Sequence, residues 1–590
     1  MSEKEDEMTT APGAPNNPLV RRRSPDRAVP LDREVSTSGR HRETFGRGVY
    51  GVGRPSHNRV VSSGLALALM MTASAALAAE SETLTSLAAD AELAEARTTV
   101  PTLKPAAPFE PQDNVLLIEI SEYAGYAGLV VANGGLAPSE DSLFFKKFGF
   151  KVKITKSEED SWSPLNSGQI GASVTTADVL PLYGQQLQVV VPVLISFSRG
   201  ADSIVVRSDL RQINDLKGKT LATAQFNEAD FLLRYLGQQA GLDIHLRADF
   251  DSPAALDKIN LIACADSFGA GDIFLRDLTA GRQRLDGCVT WDPKTTEVVE
   301  KAGGKAKILV SNRNLLVIAD LLIVNKAFAA KHSEMVRGLV EGLLEGNAMV
   351  RANPDAHLKT LGAAFGWSAE DARGELQKVH FANLPENLAF FAGTIDAAGS
   401  YSYIYESAVL AYGSKFIPRP VSSEKFVEQK HLQALQEAGK FANQRAEIKP
   451  IRSGSERAVE EPLLARDIRF LFQPNSAELD LKNAKNLEDL KYMSRMLQVS
   501  PGSTLLLRGH VDNSMIKEFE KQGGPAFVQK MALKAVQLSK ERCESVRKAV
   551  VQLHNADTAR LESIGCGWNE PLGTDMDQNR RVEVQWFTVE

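Results

Sequence analysis

Val189-Val190-Val191-Pro192-Val193-Leu194-Ile195 is followed by Ser203-Ile204-Val205-Val206, and then by Asp215-Leu216-Lys217-Gly218-Lys219-Thr220-Leu221-Ala222. The first two are short β-branched runs of the kind that buried strands require. The third is a turn leading into another strand. Upstream, Val115-Leu116-Leu117-Ile118-Glu119-Ile120 is a further apolar run, and Lys151-Val152-Lys153-Ile154 alternates as a strand does. Helical stretches alternate with strands to about residue 325, and helices dominate from there to about 412. Such alternation predicts α/β architecture with mostly parallel sheets.

At 590 residues the chain is long enough for two or three domains, and 43% hydrophobic residues can fill sizeable cores. A net charge of -6 gives no reason to expect nucleic acid as a partner. Cys264, Cys288, Cys543 and Cys566 show neither CxxC spacing nor the His pairing typical of zinc. No metal site is expected from them. They are either buried thiols or two bridges in an oxidising compartment. No Gly-rich nucleotide motif occurs, so no cofactor is expected.

Residues 1–59 carry ten Arg and one Lys against eight acids, with few apolar residues. Such a segment buries too little surface to fold and is expected to be a disordered basic extension. Residues 60–79 hold the apolar core Leu65-Ala66-Leu67-Ala68-Leu69-Met70-Met71, preceded by Arg54 and Arg59 and followed by Ala76-Leu77-Ala78-Ala79. A basic flank, a short apolar run and an A-x-A site describe a secretory signal, cleaved near Ala78 or Ala79. An uncleaved inner-membrane anchor is the alternative. Residues 80–112 read as a linker rich in Ala, Thr, Glu and Pro. Residues 413–462 read as a connector: Pro418 and Pro420 break the pattern, and Glu424 to Ala446 reads as a polar helix started by Ser422 or Ser423.

Several ordered segments of residues 113–412 resemble the periplasmic solute-binding proteins of sulfonate, taurine and nitrate importers. They are Gly149-Phe150-Lys151-Val152, Leu165-Asn166-Ser167-Gly168-Gln169-Ile170-Gly171-Ala172, Ala201-Asp202-Ser203-Ile204-Val205-Val206-Arg207, Asp286-Gly287-Cys288-Val289-Thr290-Trp291-Asp292-Pro293 and Asp320-Leu321-Leu322-Ile323-Val324. The resemblance implies a two-lobed periplasmic-binding-protein type II fold with ligand in the cleft. Lobe one would comprise about 113–204 and 322–412, and lobe two about 205–321. Hinge strands would lie near Ile204–Arg207 and Leu315–Leu322.

In open α/β sheets, ligands sit beyond the carboxyl ends of strands, where helix N-termini offer unpaired N–H groups. Residues placed there are Tyr123, Thr175, Thr176, Arg199, Asp202, Asn227 and Trp291. Thr175 and Thr176 open an apolar helix and either cap it or donate to a ligand. Tyr123 and Trp291 are either an apolar wall around the ligand or core. Arg199 is either a planar clamp for an anion or a plain surface cation. Asp202 and Asp292 suit an amino group, or pair with Arg199. A small anionic or zwitterionic organic solute is the expected ligand.

The last stretch has its own signature. Phe470-Leu471-Phe472-Gln473-Pro474-Asn475-Ser476-Ala477, Gly509-His510-Val511-Asp512-Asn513, Leu538-Ser539-Lys540-Glu541-Arg542, Gly565-Cys566-Gly567-Trp568-Asn569-Glu570-Pro571 and Asn579-Arg580-Arg581-Val582 occur in order. Residues 463–590 thereby resemble the OmpA-like peptidoglycan-binding domain, a smaller α+β unit. The resemblance implies that Asp512 accepts the ammonium of a diaminopimelate-type stem peptide. Arg542 would clamp its carboxylate bidentately, which Lys could not do as well. Arg581, or its neighbour Arg580, would support the site. The family's Tyr-Asn before Leu-Ser is Lys534-Ala535 here, and residues about 514–531 are inserted, either folding over the pocket or extending a loop.

The chain is therefore expected to be α/β with a smaller α+β domain at its end. The expected function is that of an exported, non-enzymatic solute receptor, periplasmic and tethered to peptidoglycan, serving an ABC transporter permease. His245, His332, His357 and His380 are scattered, and no nucleophile, base and orienter assemble. The alternatives are an enzyme of the thiamine-precursor-synthase type, or a wall anchor whose first domain binds another protein.

Overall fold

The apolar runs around residue 200 become the strands at which the chain changes sheets. The computed structural model describes residues 93–157, 162–393, 400–451, 461–473 and 476–588. The expected extension 1–59, the expected signal 60–79 and the start of the linker lie outside the described residues. Among the described residues, no helix is long and apolar enough to cross a membrane.

One sheet contains β1 (Val115–Ile120), β2 (Lys151–Lys156), β3 (Ala172–Thr176), β4 (Val189–Ser198), β11 (Ala319–Asn325) and β12 (Val379–Phe381), in the order β12-β4-β11-β3-β1-β2. The second contains β5 (Asp202–Arg207), β6 (Thr220–Ala224), β7 (Ile244–Arg247), β8 (Ile259–Cys264), β9 (Gly287–Trp291) and β10 (Ala306–Ser311), in the order β10-β5-β9-β6-β8-β7. Helices flank both, so β3, β4, β6 and β11 are buried along their whole length. The expectation of mostly parallel sheets needs correction. β1, β2 and β3 pair in parallel, as do β6, β7, β8 and β9, but β4, β5, β10, β11 and β12 pair antiparallel. The chain leaves one sheet and returns to it by direct passages, and strands joined that way need no helical crossover.

Those passages are residues 199–201, between β4 and β5, and residues 312–318, between β10 and β11. The first lies earlier than the expected hinge, since Ile204–Arg207 is wholly inside the second sheet, whereas the second overlaps the expected Leu315–Leu322 at residues 315–318. The side chain of Arg199 ties the two passages together. Its Nε donates to the Arg313 carbonyl (3.0 Å), Nη2 to Asn314 Oδ1 (2.9 Å) and Nη1 to the Lys449 carbonyl (2.8 Å). Asn314 in turn exchanges hydrogen bonds with the backbone of Ile451 at 2.9 and 2.8 Å. Asn312 donates to Asp202 and accepts from the Gly200 amide.

The expected linker and connector are both packed segments. Leu93 and Ala94 bond to β8 at Ala263 and Cys264, whereas Ala107 bonds to Asn166 beside β3, so residues 93–112 lie along both lobes. Among the described residues of the connector, helix Tyr401–Phe416 ends just inside it, Lys430–Glu437 is α-helical, and a 3-10 turn at Ser423–Lys425 is capped by Ser422. Phe426 and Leu432 are fully buried, and Val191 of β4 exchanges backbone bonds with Phe426 and Glu428. Apolar burial against the first lobe replaces the free polar helix that the local sequence suggests.

The last unit is a four-stranded mixed sheet of β13 (Leu464–Ile468), β14 (Thr504–His510), β15 (Leu561–Gly567) and β16 (Val582–Phe587), in the order β13-β16-β14-β15. Helices Ala484–Val499 and Ile516–His554 accompany it, and Trp586, Val584, Leu505, Leu507, Cys543 and Val546 are buried in its core. A Cβ at Gly509 would collide with the Ser539 carbonyl, and one at Gly565 with the Val536 carbonyl. Glycine at both positions lets the long helix lie directly on the sheet. The inserted residues are helical up to a break at Gly523-Gly524, and Phe519 stacks on Trp568 at 6.2 Å. Cys543 and Cys566 are thiols, not a bridge.

Replacing Arg199 would leave two backbone carbonyls and Asn314 without their donors. Arg199→Met is expected to lower stability by about 3 kcal/mol in urea-induced unfolding. A loss within experimental error would show that the two passages hold together without it.

Candidate functional site

Where the two passages meet, β3, β4, β5 and β11 end or begin together, and carboxylic acids converge. Asp320 opens β11, abreast of Thr176 on one side and Ser196 on the other. Ser196 donates to it at 2.7 Å. Asp202 opens β5 and accepts from Ser198 at 2.5 Å and from Asn312 at 2.9 Å. Asp178 follows β3, is fully buried, and makes no hydrogen bond through either carboxylate oxygen. Glu228 begins helix Glu228–Gln239. The chain reaches that helix through Phe226, which is buried at φ 70, a left-handed conformation that a bulky residue adopts only under constraint.

Burial pushes all four acids up, and they repel one another. Asp178 rises to about 7, with Asp202 and Asp230 adding to the effect of burial, and Asp202 rises to about 6, with Asp292 adding. Asp320 and Glu228 are raised well above the ordinary carboxyl range by burial first and then by their acidic neighbours. Tyr123 and Tyr126, edge to face at 5.4 Å, stand close to the same acids, and burial followed by Asp320 raises both phenols.

The residues singled out by sequence fare differently. Tyr123, Thr176 and Asp202 are brought together here. Thr175 and Thr176 end strand β3 and cap no helix; turns follow them. Both are buried, and neither hydroxyl completes a hydrogen bond. Arg199 is neither a surface cation nor a free clamp, because it is buried and its donors are taken by the passages. Asp202 does not pair with it. Asn227 caps its helix by accepting from the Asp230 amide at 3.1 Å and donates to Ser267. Trp291 pairs across the ladder with Asp202 and lies half-buried, 5.5 Å from Phe268. Asp292 is ion-paired with Lys378 at 2.9 Å. Sequence reasoning missed Asp178, although an acid in the apolar run Val174 to Leu182 was a visible anomaly. Asp320 stood in a quoted segment without an assigned role, and Glu228, next to Asn227, was given none. Cys288, on β9, is fully buried with its thiol raised by burial, which disfavours a nucleophilic role.

The second site lies in the last unit. A cavity of about 220 Å³ is lined by Phe470, Phe472, His510, Arg542, Arg580 and Arg581, among others. Arg542 extends from the long helix over the Phe472 ring at 5.0 Å, and its Nε is buried without a hydrogen bond. Burial first, then Arg580, lowers its pKa, while Asp512 acts in the opposite sense. Asp512 accepts from the Ser514 amide and hydroxyl and, at 3.0 Å, from Arg580. Burial would raise its carboxyl, but these bonds outweigh burial and hold it below the ordinary value. Arg581 donates to Asp467 at 2.7 Å and to the Glu570 carbonyl, so its guanidinium is held beside the cavity, and Arg580 is the one that reaches Asp512. None of residues 514–531 lines the cavity. Ala535, where the family's Asn would stand, packs near Gly567.

Comparison with known proteins gives one family match: residues 137–250 fit the family described as NMT1/THI5 like. Against curated proteins the chain finds no match. Among solved structures, it is similar to the alkanesulfonate-binding protein SsuA from Xanthomonas axonopodis pv. citri, at 18% identity and a TM-score of 0.40, over 54% of this chain and 100% of that one. The periplasmic aliphatic sulphonate binding protein SsuA from Escherichia coli gives 19% identity and a TM-score of 0.40, over 55% of this chain and 100% of that one. The desulfurization enzyme DSZB gives 14% identity and a TM-score of 0.36, over 55% of this chain and 99% of that one.

Proposed function

We propose that residues 113–412 are a receptor for a small organic solute, and that residues 463–590 tether it to peptidoglycan. The receptor would be periplasmic and would hand its solute to an ABC importer. What supports the receptor is the junction itself: two sheets joined by two passages, with buried polar groups left without partners where they meet. A match to the NMT1/THI5-like family within that half is in keeping with this. What supports the tether is Arg542, which faces a cavity with a donor unused, beside the carboxylate of Asp512. A cation and an anion at one rim suit the ammonium and carboxylate of a diaminopimelate-type residue, each by a charge-assisted hydrogen bond. Arg580 would hold Asp512 in place, and Arg581 would brace the wall of the cavity.

An empty junction is under electrostatic stress that pH should reveal. The Asp178 carboxyl titrates near 7 when folded, against 3.8 ordinarily. With the folded value raised, its contribution to stability is fully present below the unfolded pKa and is lost as pH rises through 7. Acting alone, that difference is worth about 4 kcal/mol. Asp178→Asn is therefore expected to melt several degrees above the parent at pH 8, with the gain shrinking towards pH 4, in calorimetric scans. An equal gain at both pH values would count against a charged Asp178.

Co-sedimentation with purified sacculi tests the tether. Asp512→Ala and Arg542→Ala should each weaken retention about tenfold, the scale of one lost charge-assisted bond. If a protein carrying both substitutions sediments like its parent, the tether proposal is wrong.

A further inference from the structure

We propose that the solute held between the lobes carries a positive charge, an ammonium or amidinium group seated among Asp178, Asp202, Glu228 and Asp320. This rests on the receptor proposed above and names the chemistry of its ligand. Four carboxylic acids come from four separate elements: the end of β3, the start of β5, the start of helix Glu228–Gln239 and the start of β11. Asp178, Asp202 and Asp320 are 0%, 4% and 2% exposed. Burying even one carboxylate without a counter-charge is costly, and burying several side by side costs more.

No basic group is among those that chiefly act on these four acids. The cations nearby are committed elsewhere. Arg199 serves the passages. Lys378 bridges Asp292 and Glu375. Arg234 pairs with Asp230 at 2.7 Å and lies over the rings of Tyr412 and Phe416. Without a cation the acids are neutralised by holding protons, as their raised pKa values require, and a cation supplied from outside the chain would take the place of those protons.

An independent observation points the same way. Thr176 is 5% exposed, stands abreast of Asp320 and beside Asp178, and its hydroxyl completes no hydrogen bond. Neither oxygen of Asp178 completes a hydrogen bond of ordinary geometry, and the neighbouring Thr176 hydroxyl only partly offsets the effect of burial on it. Buried polar atoms of this kind are ordinarily satisfied, and an ammonium brings three donors to a place that holds only acceptors and hydroxyls. The aromatic faces of Tyr123 and Tyr126 add a surface that favours a cation over an anion. A sulfonate in the same place would face four acids, with the unpartnered Nη2 of Arg234, whose Nε is held by Asp230, as the one guanidinium donor left over nearby.

The test uses the full chain at pH 8 and compares solutes of one shape and opposite charge: benzylammonium against benzenesulfonate, with putrescine and taurine as a second pair. Thermal shift and calorimetric titration read binding. Benzylammonium or putrescine should bind saturably at millimolar concentration or below. Asp320→Asn and Asp178→Asn should each weaken that binding about tenfold, the effect of removing one charged hydrogen-bond acceptor. Should Asp320→Asn fail to fold without its Ser196 bond, Asp178→Asn, which has no such bond to lose, carries the comparison. If only benzenesulfonate or taurine binds, or if cation binding is unchanged in the variants, the charge assignment is overturned and the receptor stands. If no solute of either sign binds, the receptor proposal falls and this inference falls with it.

Discussion

The return passage, residues 312–318, is the constraint on which the rest of the structure depends. It carries the chain from the second sheet back to the first, and its backbone is fixed from three sides. Asn312 bonds to Asp202 and Gly200, so the two passages share one hydrogen-bond system. Asn314 and the Arg313 carbonyl receive Arg199, which also reaches Lys449 of the connector. The Leu316 amide donates to the Val499 carbonyl, at the end of a helix of the last unit. Irregular backbone can be buried only if its polar groups find partners. Here asparagine and arginine side chains supply what a regular strand would have supplied.

This explains why the acids sit where they do. Strands that end at a shared passage bring their terminal residues together, and those residues are Thr176, Ser198, Asp202 and Asp320. Apolar residues there would weld the lobes shut. In the proposed reading, acids whose repulsion a bound cation relieves would make a closed arrangement depend on the ligand. A ligand shifts such an equilibrium only by its differential affinity for the two states, and relief of buried like charge supplies such a difference.

The sequence carried the strands well, because a buried run of Val and Ile has few other readings. Strand direction was not legible: whether Val189–Ser198 runs parallel to its neighbours depends on a passage whose course is set by partners more than a hundred residues away. Thr175 and Thr176 looked like a helix start because Ala177 to Leu182 is apolar apart from Asp178, yet pairing with β11 holds them in a strand. Arg199 looked like a lone loop cation because its three acceptors are carbonyl and amide oxygens, which leave no pattern in a sequence. In the last unit the motifs placed Asp512 and Arg542 at one rim. They did not say which of Arg580 and Arg581 would reach Asp512, since that depends on Asp467 having already taken Arg581.

The last unit does not hang free of residues 113–412. Ile213 donates to the Leu463 carbonyl, Asn214 exchanges two bonds with Ala465, and Tyr492 donates to the Gln239 carbonyl, so strand β13 and helix Ala484–Val499 dock on the second lobe. Leu315 and Leu316 of the return passage share one continuous core with Met496, Leu497 and Val499. The second lobe, the passage and the last unit are thus packed as one body, whereas the connector lies along the first lobe through Phe426 and Leu432. The same core also takes in Leu194, Phe197, Leu321 and Ile323 of the first lobe, and Tyr235 meets Tyr403, so the two lobes are packed against one another along their division as well. Arg199 spans that division, since it sits in the outward passage and binds both the return passage and the connector. A pull on the last unit would reach the acid cluster through Leu316, Asn314 and Asn312, a path of only five residues along the backbone. In the proposed reading, anchorage and solute binding would meet at the same strip of chain, and a load on one would bear on the geometry of the other.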